Sequence, residues 1–578
     1  MKMKKILAFL LIFSMLLASL SACGKSEKKE EGTGDGTKNT GSTAESVTKG
    51  NVPVNEAGNP DPFGKYEKPV TVSIVQQVNA TDTIPEGQSA TDNQYTRYVK
   101  DMINIDTEIK WQAAAGADFL QKVNLAIASN DLPDVMVVNE AQFRALIKSD
   151  MIEDLTSYFE TYASDTIKTM IEKTEGKAME AVTVDGKMLA LPGIQVETDG
   201  YNLMWIRQDW LDTLGLEAPK TVEDLEKVAL AFIENKMGGD NTVGILGPTA
   251  NNLLYHNFLQ PINSGQTVDA IFAAYGAYPG MWITDDADQA IYGSITDETR
   301  TGLIKLREMY QSGALDPELG TRKDAGEAWK SGTAGIFFAP WWTGYAGIKD
   351  AVVNDPKASW VAYGLPLTEK GEWNPRLGPS TQQFTVVRKG YEHPEAAILL
   401  ANYLVRDEKN MDTTALGLSY YPARSVLAAV DECTYTVDIL DEYLKTGTVP
   451  EYDGNLYKLL DNDIATVKEA KLEPYDDMRV EYWNPDNSNF ARMISLLSGS
   501  GAVARAQKEY PNSKVYSLVY SQTETMEKKW TNLKKLEDEI FLKIILGTEP
   551  VEAFDTFVER WKAEGGDEIT AEVQATRR

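Results

Sequence analysis

From Pro69 onward the chain alternates short β-branched runs with helical ones, and this alternation restricts its fold more than any other feature. Val70-Thr71-Val72-Ser73-Ile74-Val75 reads as a buried strand, residues 95–103 as a helix and residues 108–111 as a short strand. Phe119, Val123, Leu125 and Ile127 mark the next helix, and Asp134-Val135-Met136-Val137-Val138 the next strand. Strands separated by helices of about ten residues form βαβ units, which predicts a largely parallel sheet. Asp185-Gly186 lies between alternating apolar residues and predicts a tight hairpin, since a two-residue turn needs positive φ. Further on, residues 203–207 read as a strand, followed by a helix through Trp210 and Leu214 that Gly215 ends. Thr221 is placed to N-cap the helix after it, with Glu223 and Asp224 in the first turn. Val243-Gly244-Ile245-Leu246 and residues 334–339 are strands; the second runs straight into Pro340-Trp341-Trp342. Residues 325–330 and 395–404 are helical, and the final third is helical, clearest over 523–546 and 551–561. In the last helix Val551, Phe554, Val558 and Trp561 share a stripe, which reads as core packing.

The body that carries this pattern is roughly 510 residues long, more than a single core organises, so two lobes are expected. Ahead of it lie two segments of a different kind. Lys2, Lys4 and Lys5 precede an apolar run at residues 6–20, which is shorter than the roughly 20 residues of a permanent membrane helix. Leu20-Ser21-Ala22-Cys23 follows, small residues beside a cysteine where a signal peptidase would cut. It resembles the lipobox of bacterial lipoproteins, so residues 1–22 are expected to be a signal peptide and Cys23 the acylated first residue of the mature chain. More than one acyl chain, at about 0.8 kcal/mol per buried CH₂, anchors a soluble domain. After Cys23 the composition turns to Gly, Ser, Thr, Lys and Glu, too polar to offset ordering entropy. Residues 23–66 are therefore expected to be a flexible tether, the polar stretch spanning about 35 Å as a coil.

The net charge of −29 argues against nucleic acid or an anionic membrane surface as the main partner. With Cys23 acylated, Cys433 is alone, no internal disulfide is available, and a buried apolar role is expected for it. Two histidines, His256 and His393, cannot build a histidine-rich metal centre; His393 precedes Pro394 at a helix start. Gly-x-Ser-x-Gly, His-Glu-x-x-His, the phosphate loop and the dinucleotide fingerprint are all missing from the sequence, so neither a catalytic motif nor a cofactor is assigned.

Several stretches, in order, resemble the family 1 extracellular solute-binding proteins, the class of maltose-binding protein, and within it the large lipoproteins of Gram-positive bacteria. They are Ser129-Asn130-Asp131-Leu132-Pro133-Asp134-Val135, then Asp150-Met151-Ile152-Glu153-Asp154-Leu155-Thr156, then Asp185-Gly186-Lys187-Met188-Leu189-Ala190-Leu191-Pro192. Trp205-Ile206-Arg207-Gln208-Asp209-Trp210-Leu211, Lys330-Ser331-Gly332-Thr333-Ala334-Gly335-Ile336, Tyr363-Gly364-Leu365-Pro366-Leu367 and His393-Pro394-Glu395-Ala396-Ala397 follow. Phe554-Asp555 and Gly565-Gly566-Asp567-Glu568-Ile569-Thr570 look like the tail of the large subgroup. The resemblance implies an α/β, two-lobed periplasmic-binding-protein-like fold of type II, with an interlobe cleft and extra C-terminal helices. Residues 67–189 and about 379–430 would form lobe 1, and about 190–378 and 431–572 lobe 2. One family feature is not carried over: where some relatives have a calcium loop, this chain has Glu234-Asn235-Lys236-Met237-Gly238-Gly239-Asp240-Asn241, without alternating acids, so no metal is expected. Asp285, Asp286 and Asp288 read as a solvated hairpin.

Sugar sites join aromatic faces, which stack on a pyranose ring, to amides and carboxylates that bond hydroxyls. Trp341 ends a buried strand, where open α/β sheets bind ligand, and by resemblance it matches a sugar-stacking tryptophan. Trp342 and Tyr345 are its neighbours. Gln77 and Asn79 end the first strand, and Asn139 and Gln142 end the strand from Asp134. Both pairs match hydroxyl-binding positions of the family, or serve as turn residues. Asn251, Asn252, Tyr255 and His256 follow the strand at Val243 and face the cleft by the same analogy, and Asp199 and Tyr201 lie past the first crossover. Tyr420, Tyr421 and Arg424 follow a Gly-containing turn. Arg424 is either a surface ion-pair partner or, pointing inward, a fork for an acidic sugar.

The expectation is a lipid-anchored binder of a sugar or oligosaccharide on the outer membrane face of a Gram-positive cell. It would act as a monomer and hand its ligand to the permease of an ABC importer, without catalysis. The alternatives are a secreted carbohydrate-active enzyme, for which two carboxylates would suffice, and a peptide binder of the same fold.

Overall fold

The computed structural model describes residues 51–79, 82–249, 254–260, 266–470 and 490–577. The strand Val70–Val78 pairs in parallel with Ile105–Ala114, from Val70 against Ile105 to Val78 against Ala114, with a one-residue register shift between Ile74 and Val75. The helix Gln94–Ile103 connects them, N-capped by Asn93, whose side chain accepts from the backbone of Tyr95 and Thr96. Val70, Val72 and Ile74 alternate inward onto Tyr95, Val99 and Ile103, so the period-2 and period-3.6 patterns meet in one core. The hairpin at Asp185-Gly186 joins Thr183–Val184 to Lys187–Met188, with φ of 50° at Asp185 and 77° at Gly186.

The largely parallel sheet expected from the alternation is found only in part. Val135–Val138 lies antiparallel to Phe384–Val387, which is itself antiparallel to Leu191–Pro192. The second sheet runs in the order Trp360–Tyr363, Leu203–Arg207, Ala334–Ala339, Val243–Ile245, and only its last pair is parallel. The antiparallel partners are far apart in the sequence, and periodicity within a segment carries no information on the direction of a remote partner.

The tether reading is corrected at its C-terminal end. Tyr66 is buried and its hydroxyl donates to Glu395 Oε1 at 2.9 Å, while the carbonyls of Pro62 and Phe63 accept from Asn402 and Tyr403. A few anchors, Val52, Phe63 and Tyr66, dock residues 51–66 on the core although the average composition is polar. Cys23 and the signal segment lie outside the described residues.

Three segments cross side by side between the sheets. The amide of Gly193 donates to Gln383 O at 2.7 Å, that of Ile194 to Val426 O at 2.7 Å, and that of Glu197 to Val430 O at 2.7 Å. A Cβ on Gly193 would lie 2.9 Å from Gln383 Cβ and 3.2 Å from the carbonyl oxygens of Gln383 and Val426, so only glycine lets the segments approach this closely. Gly193→Val is expected to cost about 1–3 kcal/mol through overpacking, read as a lower thermal unfolding midpoint; an unchanged midpoint would show that the crossing has room to spare.

The C-terminal helices Glu524–Ile545 and Ala553–Trp561 pack on the body that holds the second sheet. Trp561 stacks on Tyr292 with ring centroids 5.1 Å apart and planes 9° apart. Phe554 and Trp561 are buried as the stripe predicts, but Phe557 is buried too, whereas Val558 is only partly covered. Asp285 caps the turn between Trp282–Thr284 and Ala290–Tyr292 by accepting from the amides of Ala287 and Gln289. No helix among the described residues is long and apolar enough to cross a membrane.

Candidate functional site

The fully buried strand Ala334–Ala339 delivers Pro340 and then the 3₁₀ turn Trp341–Ala346. This turn sits on the segment Ile494–Ser500 because Gly499 has no side chain: a Cβ there would meet Trp341 O at 2.3 Å. Trp341 is half-buried, and its Nε1–H donates to Asp199 Oδ1 at 2.9 Å. Asp199 belongs to the crossover turn Glu197–Gly200, so two residues singled out separately in the sequence are brought into one pair. The ring of Tyr345 stands edge-on to Trp341, with centroids 6.4 Å apart, and is 53% exposed.

A polar wall continues from these rings. Arg492 and Asp463 lie close enough to Tyr345 to influence its hydroxyl, and Arg492 Nε donates to Asp463 Oδ1 at 2.5 Å. Burial pushes Asp463 up to about 6 against the pull of Arg492, and pushes Glu432 up to about 7. The Lys458 ammonium donates to Glu408 and, at 2.7 Å, to Leu427 O. Arg424 Nη2 stands 3.7 Å from Glu408 Oε1, and its Nε is buried with no partner. No sequence periodicity pointed to Glu408, Glu432, Lys458, Asp463 or Arg492, which converge only through tertiary contacts.

The raised acid at Glu432 has a definite consequence for stability. Its folded-state value lies above the ordinary carboxyl value of 4.5. Between the two values the native state holds the proton more tightly than the unfolded chain, so Glu432 makes stability fall as pH rises from about 4.5 to about 7. Glu432→Gln is expected to flatten that part of the profile and to raise the unfolding midpoint at pH 8. An unchanged slope would place the charge elsewhere.

The remaining expected site residues divide by what their polar atoms already do. Gln77 is exposed at the end of its strand, whereas its neighbour Gln76 is buried and donates to Ser419 O at 3.0 Å. Asn79 closes a turn through Asp82, its amide at 2.8 Å from Asp82 Oδ2, and the Tyr420 hydroxyl pairs with the same Asp82. Asn139 and Gln142 form a reciprocal capping box on the helix Glu140–Lys148, and Gln142 Nε2 also donates to Asn124 Oδ1 at 3.0 Å. Gln142 is buried with its amide taken up locally, so helix capping accounts for the pair.

Tyr201 is corrected to the core: it is buried, donates to Glu197 Oε1 at 2.5 Å and stacks on Trp373 at 5.1 Å. Tyr255 is likewise interior, its hydroxyl bonded to the buried Glu537, and His256 Nδ1 is 2.6 Å from Asp269 Oδ2. Both follow the strand at Val243, but the chain turns them under the surface, where a phenol needs an internal acceptor. Tyr421 is buried and donates to Leu400 O at 2.8 Å. Trp342 is partly covered, its Nε1 buried without a partner. Asn251 and Asn252 lie outside the described residues. Cys433 is buried, as expected, and burial holds its thiol well above the usual range.

The sequence profile of the bacterial extracellular solute-binding protein family matches residues 90–411, more than half of the chain. The polygalacturonan/rhamnogalacturonan-binding protein YtcQ of Bacillus subtilis is 22% identical over 501 residues, covering 82% of this chain and 86% of its own. The fructooligosaccharide ABC transporter substrate-binding protein FusA of Streptococcus pneumoniae is 30% identical over 220 residues, 35% of this chain and 38% of its own. Among solved structures, a solute-binding protein of Bifidobacterium longum infantis described as HMO-binding and ABC-transporter-associated superposes with a TM-score of 0.58 at 16% identity, covering 88% of this chain and 98% of the other. The alginate-binding protein AlgQ2 superposes with a TM-score of 0.53 at 15% identity, again over 88% of this chain and 98% of the other. These likenesses bear out the two-lobed α/β fold, and with the family match they make the chain a bacterial extracellular solute-binding protein.

Proposed function

We propose that the protein captures a sugar or oligosaccharide at the Trp341 rim and delivers it to the permease of an ABC importer, tethered to the membrane by a lipid on Cys23. The observation that carries this reading is the Trp341–Asp199 pair. The indole N–H is satisfied by the protein, so the ring is held in place and its remaining exposed surface is free to stack on a pyranose. Tyr345 beside it is exposed, and the wall of Arg424, Glu408, Asp463 and Arg492 supplies donors and acceptors of the kind that bond hydroxyls. The carbohydrates named for these relatives, polygalacturonan and rhamnogalacturonan for YtcQ and fructooligosaccharide for FusA, support the same class of solute. Lobe boundaries near residues 190, 379 and 431 fit this reading, with closure over the ligand as a population shift driven by contacts made only in the closed state.

The test is calorimetry of the mature chain against pools of fructooligosaccharides, galacturonan fragments and peptides, with recovered ligand analysed by mass. Tight binding of one sugar pool with chain length unchanged supports the proposal. Shortened products would make it an enzyme, and binding of peptides alone would change the ligand class. For the anchor, Cys23→Ser is expected to abolish labelling by a palmitate analogue and to release the protein into the medium. Continued membrane retention of that variant would remove the lipid from the account.

A further inference from the structure

Two glycines make the contact between the Trp341–Ala346 turn and the helix beneath it, one from each side. A Cβ on Gly499 would lie 2.3 Å from Trp341 O, 2.8 Å from its Cα and 2.9 Å from its carbonyl carbon. From the opposite side, a Cβ on Gly344 would lie 2.3 Å from Ser495 Oγ, 2.6 Å from Ile494 Cγ2 and 2.9 Å from Ala491 O. Neither glycine has a positive φ, so closeness of approach, not backbone freedom, is what requires them.

The helix side of this contact is π-helical over Ile494–Ser500, between the α-helical stretches Phe490–Met493 and Gly501–Glu509. A π turn is wider than an α turn by one residue, its bonds spanning five positions. That spacing brings Ile494, Ser495 and Gly499 to the face that meets the turn. All seven residues of the π segment are buried, and Ala362 N donates to Ser498 Oγ at 3.0 Å, which fixes the segment to the second sheet. On the turn side, Pro340 O accepts from Trp205 Nε1 at 3.3 Å and from Thr343 Oγ1 at 2.6 Å. The Trp341 backbone is thus held between a strand end and a close-packed helix. Arg492, just before the π segment, carries the pair with Asp463, so one helix supports both the ring and the cation of the rim.

We propose that Gly499 and Gly344 are positioning residues for solute binding. They set where the Trp341 ring stands on the rim and keep its N–H within reach of Asp199. This rests on Trp341 being the stacking surface. A methyl group at position 499 meets backbone atoms, which no rotamer change can clear, so the turn has to retreat by on the order of 1 Å. Stacking contact and a hydrogen bond of 2.9 Å both weaken over such a step. Gly501 provides the contrast: a Cβ there meets the end of the flexible Arg505 side chain at 2.8 Å, which can swing aside.

The test uses the full mature chain labelled with 5-fluorotryptophan, the Trp341 signal being identified by its loss in Trp341→Phe. In the protein without sugar, Gly499→Ala is expected to move that fluorine signal and Gly501→Ala to leave it in place. By calorimetry with whichever of the fructooligosaccharide and galacturonan pools the parent binds, Gly499→Ala should weaken binding about tenfold and Gly501→Ala less than about twofold. Should Gly499→Ala fail to fold, Gly344→Ala presses on the same contact from the turn side and is read in the same way. An unmoved Trp341 signal in a folded variant overturns the proposal. So does unchanged affinity in a variant whose signal has moved, provided Trp341→Ala loses binding. If Trp341→Ala binds as the parent does, the stacking role of Trp341 is what falls, and the fluorine signal alone decides whether the glycines place the ring.

Discussion

Trp341→Ala is expected to weaken oligosaccharide binding about 30-fold, corresponding to a loss of about 2 kcal/mol. The size follows from the position of the ring. Trp341 is half-buried, so part of its surface already contributes to the fold, and the exposed remainder is what a sugar ring would cover. Its N–H is bonded to Asp199, so deletion also leaves that carboxylate without its indole donor at the rim. Trp341→Phe should recover much of the stacking but not the bond to Asp199, and is expected to fall between the two. Calorimetry on the folded variants reads the effect directly. If Trp341→Ala bound its sugar as tightly as the parent chain, the rim would be in the wrong place.

A larger effect, on stability, is expected at Trp561. This side chain is fully buried, stacks on Tyr292, and lies 6.1 Å from the Trp282 ring. Gly566 makes room for it, since a Cβ there would fall 2.1 Å from the indole. Its Nε1 has no hydrogen-bond partner, so packing is what the residue supplies. Trp561→Ala is therefore expected to cost about 3–5 kcal/mol, the usual range for emptying a large aromatic site. Urea unfolding followed by tryptophan emission would show the midpoint moving down. A loss below about 1 kcal/mol would mean that the C-terminal helices close over the cavity, or that they contribute little to the body.

The two predictions differ in how far the sequence could have led to them. Trp561 was legible from its stripe, because helical spacing fixes which residues share a face. Trp341 was legible from the buried strand and proline before it, but its partner was not. Asp199 lies 142 positions away, and only the packing of the 3₁₀ turn on the crossover joins them. The readings that failed did so for a common reason. Tyr201, past the first crossover, and Tyr255, beyond the strand at Val243, each turn inward, because Glu197 in the preceding turn and the buried Glu537, 282 positions away, supply their acceptors. Gln142 is drawn into a capping box with Asn139, a local contest that the backbone won.

By itself the sequence determined the local elements: the strand Ala334–Ala339, the helix stop at Gly215, the hairpin at Asp185-Gly186, and the helical end of the chain. Those depend on side-chain period, φ preference and capping, which act over a few residues. Tertiary structure decided strand direction, the docking of residues 51–66, and the wall of Glu408, Lys458, Glu432, Asp463 and Arg492. Those depend on which distant segments share a surface, and Coulomb and packing forces see distance in space, not separation along the chain.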